Sequence, residues 1–296
     1  MATVLVVGCG YVGQPLCAQL VARGDQVYTL TRSGRADVAG AISLQGDVGS
    51  LDDVSRLPKN IENVVYIVSA GEHTPEAYRH AYVTGIQCLL QALMNREKPP
   101  SRLVYISSTS VYGQTDGSRV DETSPTNPAN FGGQLILEGE KAVLGAQLEG
   151  IVLRLGGIYG PGRDRMIRQV ADAAVVELQP ETTYTNRNHR DDCAGQIIHL
   201  LELEDPQSIY VGVDHDPADR NDVVKWLAKR LGKSVQEASV GSFVAGPSSG
   251  QPNPAKARRY GGSKRCVNKR LIDSGYVFKY PSFKEGYESI LLSMGL

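Results

Sequence analysis

The chain of 296 residues is 41% hydrophobic and 21% charged, which is typical of a folded globular protein and excludes a disordered chain. Its 31 lysines and arginines balance 32 aspartates and glutamates, whereas a nucleic-acid-binding protein or a polybasic membrane protein carries an excess of positive charge. The five cysteines form no CxxC pair, which argues against a disulfide framework and against a thiolate zinc site, so we expect no bound metal.

Short apolar runs alternate with amphipathic stretches of helical length in the first half of the chain. The predicted strands cover residues 4–7, 26–31, 42–44, 63–69, 102–107 and 151–155, and the predicted helices cover residues 12–23, 76–95 and 133–149. Strands that alternate with helices form a parallel sheet with right-handed crossovers. The sequence therefore predicts an α/β fold with a Rossmann-type, doubly wound parallel sheet.

The pattern is less regular in the second half of the chain. It predicts a strand over residues 209–213, a long surface loop over the Gly-, Ser- and Pro-rich residues 241–265, and helices over residues 166–178, 193–203, 220–231 and 267–274. No apolar run approaches the roughly 18 residues of a membrane helix, and the first residues lack the pattern of a signal peptide. We therefore expect a cytoplasmic protein with reduced thiols and no membrane or nucleic-acid partner.

Three glycines follow the first predicted strand and open the first predicted helix, in the spacing GxGxxG. Gly8 permits a tight turn, Gly10 lets the backbone approach a pyrophosphate, and Gly13 lets the helix pack closely on the strand. Free N–H groups at the helix N-terminus also attract phosphate. The motif predicts a dinucleotide-binding site that includes Tyr11 and Val12; the alternative is a glycine-rich turn that binds no ligand.

The second predicted strand distinguishes between the two nicotinamide dinucleotides. An NAD site has an acidic residue about 20 residues after the glycines, where it binds the ribose 2′-hydroxyl. Residues 28–33 contain no acid, and Asp25 precedes the strand and belongs at its far end. Arg32 and Ser33 instead offer a guanidinium and a hydroxyl to a 2′-phosphate. We therefore predict NADP(H), and NAD remains possible because Arg32 is alternatively a solvated loop residue.

The ends of the next two predicted strands supply further candidates for the cofactor site. Asp47 follows the third strand, where a carboxylate can accept a hydrogen bond from the adenine amino group. The alternative is that Asp47 is only a turn residue. Val48, Ser69 and Ala70 complete the predicted cofactor site.

Several later segments resemble those of extended short-chain dehydrogenases/reductases. Residues 105–113 are similar to their SSxxVYG segment, residues 153–162 to LRxxxxYGPG, and residues 189–194 to (V/H)xDxA. The groups NKRL, GY and YPSFKEG within residues 268–286 resemble the C-terminal pattern. Each match is modest alone, but the ordered set is specific, and the chain resembles the NAD-dependent epimerase/dehydratase family.

This resemblance implies a Rossmann domain joined to a smaller C-terminal α/β domain that binds the substrate. We expect the cofactor domain to span residues 1–162, with residues 187–213 packing back onto it. The substrate domain then covers residues 163–186 and 214–296. Typical substrates in the family are nucleotide-linked sugars, and the resemblance also suggests a homodimer.

Members of the family usually react through a serine or threonine, a tyrosine and a lysine. Ser108 matches the serine, and we expect its hydroxyl to donate a hydrogen bond to a substrate oxygen; the alternative is a satisfied serine at a strand end. Tyr82 stands where the family has the asparagine of NVxG, and either supplies a replacement acid or packs within its helix. Tyr112 and Tyr159 match tyrosines that family members carry beside an intact catalytic set.

The YxxxK pair of the family is missing. With Glu138 placed on the acid that usually follows the lysine, Asn130 and Gln134 stand at the tyrosine and lysine positions, and a shift by one residue gives Phe131 and Leu135. Amides do not titrate near neutral pH and cannot act as general bases. This loss is similar to the atypical branch of the superfamily, and we expect Asn130 and Gln134 to contact substrate instead.

Basic residues cluster in the predicted substrate region, where the planar fork of arginine suits a nucleotide diphosphate. We expect Arg163 and Arg258 to bind substrate, whereas most other charges there are solvated. His189 and the aspartates after it are an acid–base alternative, although their segment resembles one that anchors a helix. The other basic residues of the cluster are Arg165, Arg168, Arg187, Arg190, Arg259, Lys264 and Arg265.

Two functions remain open on the sequence. The first is an NADP-dependent oxidoreductase or epimerase that acts on a small-molecule substrate by a non-standard proton relay. The second is a catalytically silent NADP(H)-binding regulator or scaffold, which fits the loss of the tyrosine and lysine. The sequence favours the enzyme, because a regulator has less need of an arginine-rich substrate region.

Overall fold

Seven parallel strands form the central sheet of the computed structural model, which describes residues 1–237 and 262–296. Their order across the sheet is β3-β2-β1-β4-β5-β7-β11. Strands of this kind are covered on both faces and are therefore apolar throughout, as in the first strand, where Val4 to Val7 are all buried. The sheet strands are β1 (Thr3–Val7), β2 (Gln26–Thr31), β3 (Ile42–Gln45), β4 (Asn63–Tyr66), β5 (Arg102–Ser108), β7 (Glu149–Leu155) and β11 (Ile209–Gly212).

Helices cover both faces of the sheet. On one face, α1 packs against α7 in a core that includes Leu16, Leu20 and Ile197. On the other face, α2, α4 and α5 bury Val54, Leu89 and Val143. The predicted doubly wound parallel sheet is confirmed. These helices are α1 (Gly13–Ala22), α2 (Leu51–Ser55), α4 (Gly85–Met94), α5 (Phe131–Leu144) and α7 (Arg190–Glu202), and α3 (Pro75–Arg79) precedes α4.

A second hydrophobic core lies among the later elements, where Ile167, Val223, Leu227 and Phe283 pack together. Three pairs of short parallel strands accompany it: β6 with β13, β8 with β10, and β9 with β12. The helices of this part are α6 (Arg165–Asp172), α8 (Arg220–Arg230), α9 (Lys269–Asp273) and α10 (Phe283–Ser293). The short strands are β6 (Asp116–Val120), β8 (Gly157–Tyr159), β9 (Val176–Leu178), β10 (Arg187–His189), β12 (Val235–Glu237) and β13 (Ser263–Cys266).

Some predicted elements of the second half were wrong. The predicted helix over residues 166–178 ends at Asp172, because Ala173 has an extended backbone and the chain continues as β9. The end of the predicted loop, Ser263–Cys266, is a strand that pairs with β6; residues 241–261 of that loop lie outside the described residues. Helix α10 was not predicted, although Ser282 and Glu285 form a capping box at its start.

Residues 187–213, which we expected beside the cofactor domain, comprise β10, α7 and β11. Strand β11 is an edge strand of the central sheet, and α7 packs on α1. Over residues 1–237 and 262–296, none of the helices has the length and apolar character needed to cross a membrane.

Candidate functional site

A cavity of about 710 Å³ opens where the carboxyl ends of β1, β2, β4 and β5 meet. This edge of a doubly wound sheet is where such folds bind ligands. The cavity runs from the glycine motif and Arg32 at one side to Ser108 and Ile158 at the other. Every residue predicted for the cofactor lies in its lining: Gly8, Gly10, Tyr11, Val12, Gly13, Arg32, Ser33, Asp47, Val48, Ser69 and Ala70.

The structure gives a different account of glycine at each of the three motif positions. Gly8 has a φ of +96°, and a Cβ there would lie 2.6 Å from the carbonyl oxygen of Ile67. A Cβ on Gly13 would lie 2.5 Å from the carbonyl oxygen of Gly8, so only glycine lets α1 start this close to β1. A Cβ on Gly10 would meet no atom within 4 Å. The protein itself therefore does not require glycine at position 10, but a ligand in the cavity would.

Positive charge gathers where β2 ends. Arg32, Ser33 and Arg35 are exposed and line the cavity, and the sequence reasoning missed Arg35. Among the described residues no carboxylate forms an ion pair with either arginine. Asp25 accepts a hydrogen bond from the backbone N–H of Ala2, at the opposite end of the strands. This corner therefore carries two guanidinium groups, and residues 28–33 supply no acid. The Arg32 charge reaches the carboxylate of Asp47, which lines the same cavity.

Asp47 is a turn residue that also lines the cavity. Its Oδ1 accepts a hydrogen bond from the N–H of Gly49, which forms a turn, and lies 2.8 Å from Nε2 of His80. Burial raises the pKa of Asp47, but the Gly49 N–H and His80 outweigh burial and hold the pKa below its ordinary value. Asp47 thus presents a carboxylate to the cavity at neutral pH. His80 lines the same wall and was not predicted from the sequence.

A π-helical turn, His80–Thr84, joins α3 to α4, where the sequence predicted one continuous α-helix. Such turns are rare and often occur at functional sites. Tyr82 lies in this turn and lines the cavity. Burial raises the pKa of Tyr82 to about 12, while the backbone N–H of Ala70 lowers it by donating a hydrogen bond to the phenol oxygen. The neutral phenol therefore keeps its proton available as a hydrogen-bond donor.

Ser108 is the last residue of β5 and also lines the cavity. Its Oγ accepts a hydrogen bond of 3.1 Å from the backbone N–H of Ser110. That contact uses a lone pair and leaves the O–H free to donate. Ser108 and Tyr82 are thus two hydroxyl donors on the walls of one cavity.

The buried acid of α5 is Glu140, which offers a second register beside the one based on Glu138. Glu140 accepts two hydrogen bonds from Arg154, at 3.0 and 2.7 Å, and a third from Ser107. Glu138 is exposed and pairs with Arg79 at the surface. Glu140 follows the buried Ile136 by four residues and precedes the buried Val143 by three, so the apolar spacing of α5 could have identified it.

Counting back from Glu140 with the same spacing moves the tyrosine and lysine positions to Gly132 and Ile136. Ile136 lines the cavity. A Cβ on Gly132 would lie 2.9 Å from the ring of Tyr78, so an aromatic ring from α3 covers the site of a side chain at position 132. The register based on Glu140 also supplies neither a phenol nor an ammonium on α5.

The residues of the first register do not line the cavity. The Asn130 side chain accepts a hydrogen bond of 2.8 Å from the N–H of Gly133 and caps α5. The Gln134 amide donates to the carbonyl oxygen of Pro128. Both residues are exposed. Their side chains therefore have local roles at the start of α5.

Of the predicted substrate residues, Arg163 lines the cavity and Arg258 lies outside the described residues. Other basic residues of this cluster make internal contacts, such as Arg168 with Asp164 and Arg190 with Asp191. His189 precedes α7, and its Nδ1 accepts a hydrogen bond from the backbone N–H of Asp191 in the first turn of that helix. Burial lowers the pKa of His189 to about 4.

In the part of the chain that is described, no cluster of three or more His, Cys, Asp or Glu side chains is arranged to hold a metal ion.

The fold and this cavity define a dinucleotide-binding α/β protein. The model of the NAD dependent epimerase/dehydratase family matches residues 4–210, and the chain belongs to that family.

Two curated relatives are similar over most of their length. Protein YeeZ from Escherichia coli K12 is 29% identical over 243 residues, covering 78% of this chain and 85% of YeeZ. A UDP-glucose 4-epimerase from Streptomyces lividans is 30% identical over 233 residues, covering 69% of each chain.

Solved structures agree with this fold. A candidate NAD-dependent epimerase/dehydratase from Methylobacillus flagellatus is 33% identical with a TM-score of 0.78, covering 100% of this chain and 99% of its own. Two more distant structures are similar in fold alone. MoeE5, solved with UDP-glucuronic acid and NAD, has 22% identity, a TM-score of 0.77 and full coverage of both chains. Human epimerase family protein SDR39U1, solved with NADPH, has 20% identity and a TM-score of 0.74, covering 97% and 98%.

Proposed function

We propose that this protein is an NADP(H)-dependent oxidoreductase or epimerase that acts on a nucleotide sugar or another small carbonyl or hydroxyl compound. The observation that carries the proposal is one cavity that joins the glycine motif, the cationic corner at Arg32, and the hydroxyls of Ser108 and Tyr82. The related UDP-glucose 4-epimerase supports a nucleotide sugar as the substrate class.

The residues around the cavity fit a dinucleotide. Gly10 leaves room for a pyrophosphate, and Asp47 can accept a hydrogen bond from an adenine amino group. Arg32 and Arg35 supply two unpaired guanidinium groups for a 2′-phosphate. When bound, the nicotinamide supplies hydride transfer, so the protein has to bind, orient and polarise the substrate.

Arg32→Asp is expected to reverse the preference between the two cofactors. The wild-type protein should bind NADPH about 10- to 100-fold more tightly than NADH, the range expected for charge-assisted hydrogen bonds to a 2′-phosphate. The variant should bind NADH more tightly than NADPH, because its carboxylate repels the 2′-phosphate and accepts a hydrogen bond from a 2′-hydroxyl. Fluorescence titration with both reduced cofactors measures the ratio.

Arg165→Asp is the matched control for this change, because Arg165 is exposed and does not line the cavity. It makes the same change of charge and should leave the ratio as in the wild type. Equal affinities of the wild-type protein for NADPH and NADH would contradict the NADP proposal and leave the family assignment untouched.

In the proposed reaction, Ser108 donates a hydrogen bond to the reacting oxygen of the substrate and so polarises the carbon that exchanges hydride. Tyr82 holds its proton at neutral pH, as its raised pKa requires. Its phenol can therefore stabilise an oxygen that gains negative charge, or pass its proton to that oxygen as an alkoxide forms.

A screen for NADPH oxidation and NADP⁺ reduction over nucleotide sugars, aldehydes and ketones tests this chemistry. With a compound that turns over, Ser108→Ala and Tyr82→Phe should each lower kcat by about 10²-fold or more, because each removes a hydrogen bond that strengthens in the transition state. Ser110→Ala and Tyr78→Phe are matched controls, since neither side chain lines the cavity. Turnover that is insensitive to both site variants would contradict the assigned roles.

The second candidate function is a non-catalytic NADP(H)-binding regulator. The observation that favours it is the apolar Ile136 in the cavity lining and the bare Gly132, which stand at the lysine and tyrosine positions when the register is counted from Glu140. Tight NADPH binding without turnover across the whole screen would favour the regulator over the enzyme.

A further inference from the structure

The turn after β8 places Arg163 beside the glycine motif. The N–H of Arg163 donates to the carbonyl oxygen of Gly160 at 2.9 Å, and Gly162 between them has a φ of +79°. Proline followed by glycine at the two central positions suits a type II turn. The phenol of Tyr11 donates to the carbonyl oxygen of Pro161 at 3.1 Å, which ties this turn to the glycine motif. The backbone that carries Arg163 is thus attached to the motif itself.

The Arg163 guanidinium lies over the ring of Tyr11, with its carbon 4.1 Å from the ring centroid. This cation–π contact orients a side chain that is otherwise exposed and that lines the cavity. Tyr11 is the residue that directly follows Gly10. The guanidinium is therefore held at the glycine motif, in the lining of the same cavity as Gly10.

Arg163 has no counter-ion within the described parts of the chain, and its neighbours are already paired. Asp164 binds Arg168, and Arg190, whose guanidinium carbon lies 5.3 Å from the Tyr11 ring centroid, binds Asp191. An unpaired guanidinium held beside a phosphate-binding loop fits an anion, and arginine binds phosphate oxygens through two parallel hydrogen bonds.

We propose that Arg163 binds the pyrophosphate of the dinucleotide, so that the turn after β8 contributes a ligand to the cofactor and not to the substrate. This inference rests on the proposed NADP(H) function. It assigns the sequence-predicted substrate residue Arg163 to the cofactor instead. Arg163 and the N-terminus of α1 then hold the pyrophosphate from two sides.

Two ligands distinguish a pyrophosphate contact from general weakening of the site. NADPH carries both a pyrophosphate and a 2′-phosphate, whereas adenosine 2′-monophosphate carries only the 2′-phosphate. In Arg163→Gln, NADPH affinity should fall about 10- to 100-fold, and the affinity of adenosine 2′-monophosphate should stay within about twofold. Arg163→Lys should give an intermediate loss for NADPH, because lysine keeps the charge but lacks the fork.

Two further variants complete the experiment. Arg165→Gln removes a nearby exposed charge that does not line the cavity, and should bind both ligands as the wild type does. Gly162→Ala strains the turn without a clash, since a Cβ there meets no atom within 4 Å. It should therefore weaken NADPH several-fold and spare adenosine 2′-monophosphate.

The outcomes separate this inference from the proposed function. NADPH affinity that is unchanged in Arg163→Gln would overturn the inference and return Arg163 to the substrate, while the NADP(H) proposal stands. A parallel loss of both ligands in Arg163→Gln would also overturn it. A wild-type protein that binds no NADPH would overturn the inference and the proposed function together.

Discussion

Arg154→Met is expected to lower the free energy of unfolding by about 3–5 kcal/mol, because it leaves the Glu140 carboxylate buried without its cation. Arg154 and Glu140 are 3% and 1% exposed. The guanidinium makes two hydrogen bonds to Glu140 and a third, of 2.9 Å, to the hydroxyl of Tyr112. This one side chain therefore joins β7 to α5 and to the turn after β5. Equilibrium unfolding in urea measures the loss.

Two variants test the cause of that loss. Arg79→Met breaks the surface ion pair between Arg79 and Glu138, which lies on α5 like Glu140; the two side chains are 56% and 45% exposed. It should lower the free energy of unfolding by only about 0–1 kcal/mol. Arg154→Met combined with Glu140→Met removes both buried charges and should recover more than half of the stability. If Arg154→Met cost no more than Arg79→Met, the buried pair would not have the role assigned to it.

Gly10→Ala and Gly13→Ala are expected to separate ligand binding from folding within one motif. In Gly13→Ala the new methyl lies 2.5 Å from a backbone oxygen that cannot move freely, so stability should fall by about 1–3 kcal/mol. Cofactor affinity should fall with it, because α1 shifts away from β1. In Gly10→Ala the methyl meets no protein atom, so the melting temperature should not change.

Gly10→Ala should nevertheless weaken NADPH about tenfold or more, because the methyl occupies the space into which the pyrophosphate must come. Thermal unfolding without ligand and NADPH titration provide the two measurements. A Gly10→Ala protein that binds NADPH as tightly as the wild type would place the pyrophosphate elsewhere, and would count against the proposed cofactor site.

Much of the cofactor half could be predicted from the sequence, because its signals are local. The apolar run of β1 is followed directly by the glycine motif, and steric contacts explain why Gly8 and Gly13 are glycines. The absence of an acid from residues 28–33 was equally visible. Arg35 was missed because the family pattern directs attention to one position, whereas a phosphate responds to all nearby charge.

The catalytic half could not be predicted as well, because its key contacts are not local. Glu138 and Glu140 are two residues apart, which places them about 200° apart around a helix. The apolar spacing of Ile136 and Val143 indicates that Glu140 faces the core. Its partner there, Arg154, lies on another element and has no local signal in α5. The contact of the Tyr78 ring with Gly132 likewise joins two helices, α3 and α5, and neither segment predicts it from its own sequence.

The π-helical turn His80–Thr84 also has a consequence for how this chain tolerates insertions and deletions. A π turn accommodates about one residue more than an α turn, and one residue rotates everything before it by about 100°. Deletion of one residue there would keep the apolar face of α4 in the core but rotate α3 about the helix axis relative to α4. The rotation between these two helices thus depends on a single residue. A one-residue change in length is therefore expected to alter this wall of the cavity more than most substitutions would.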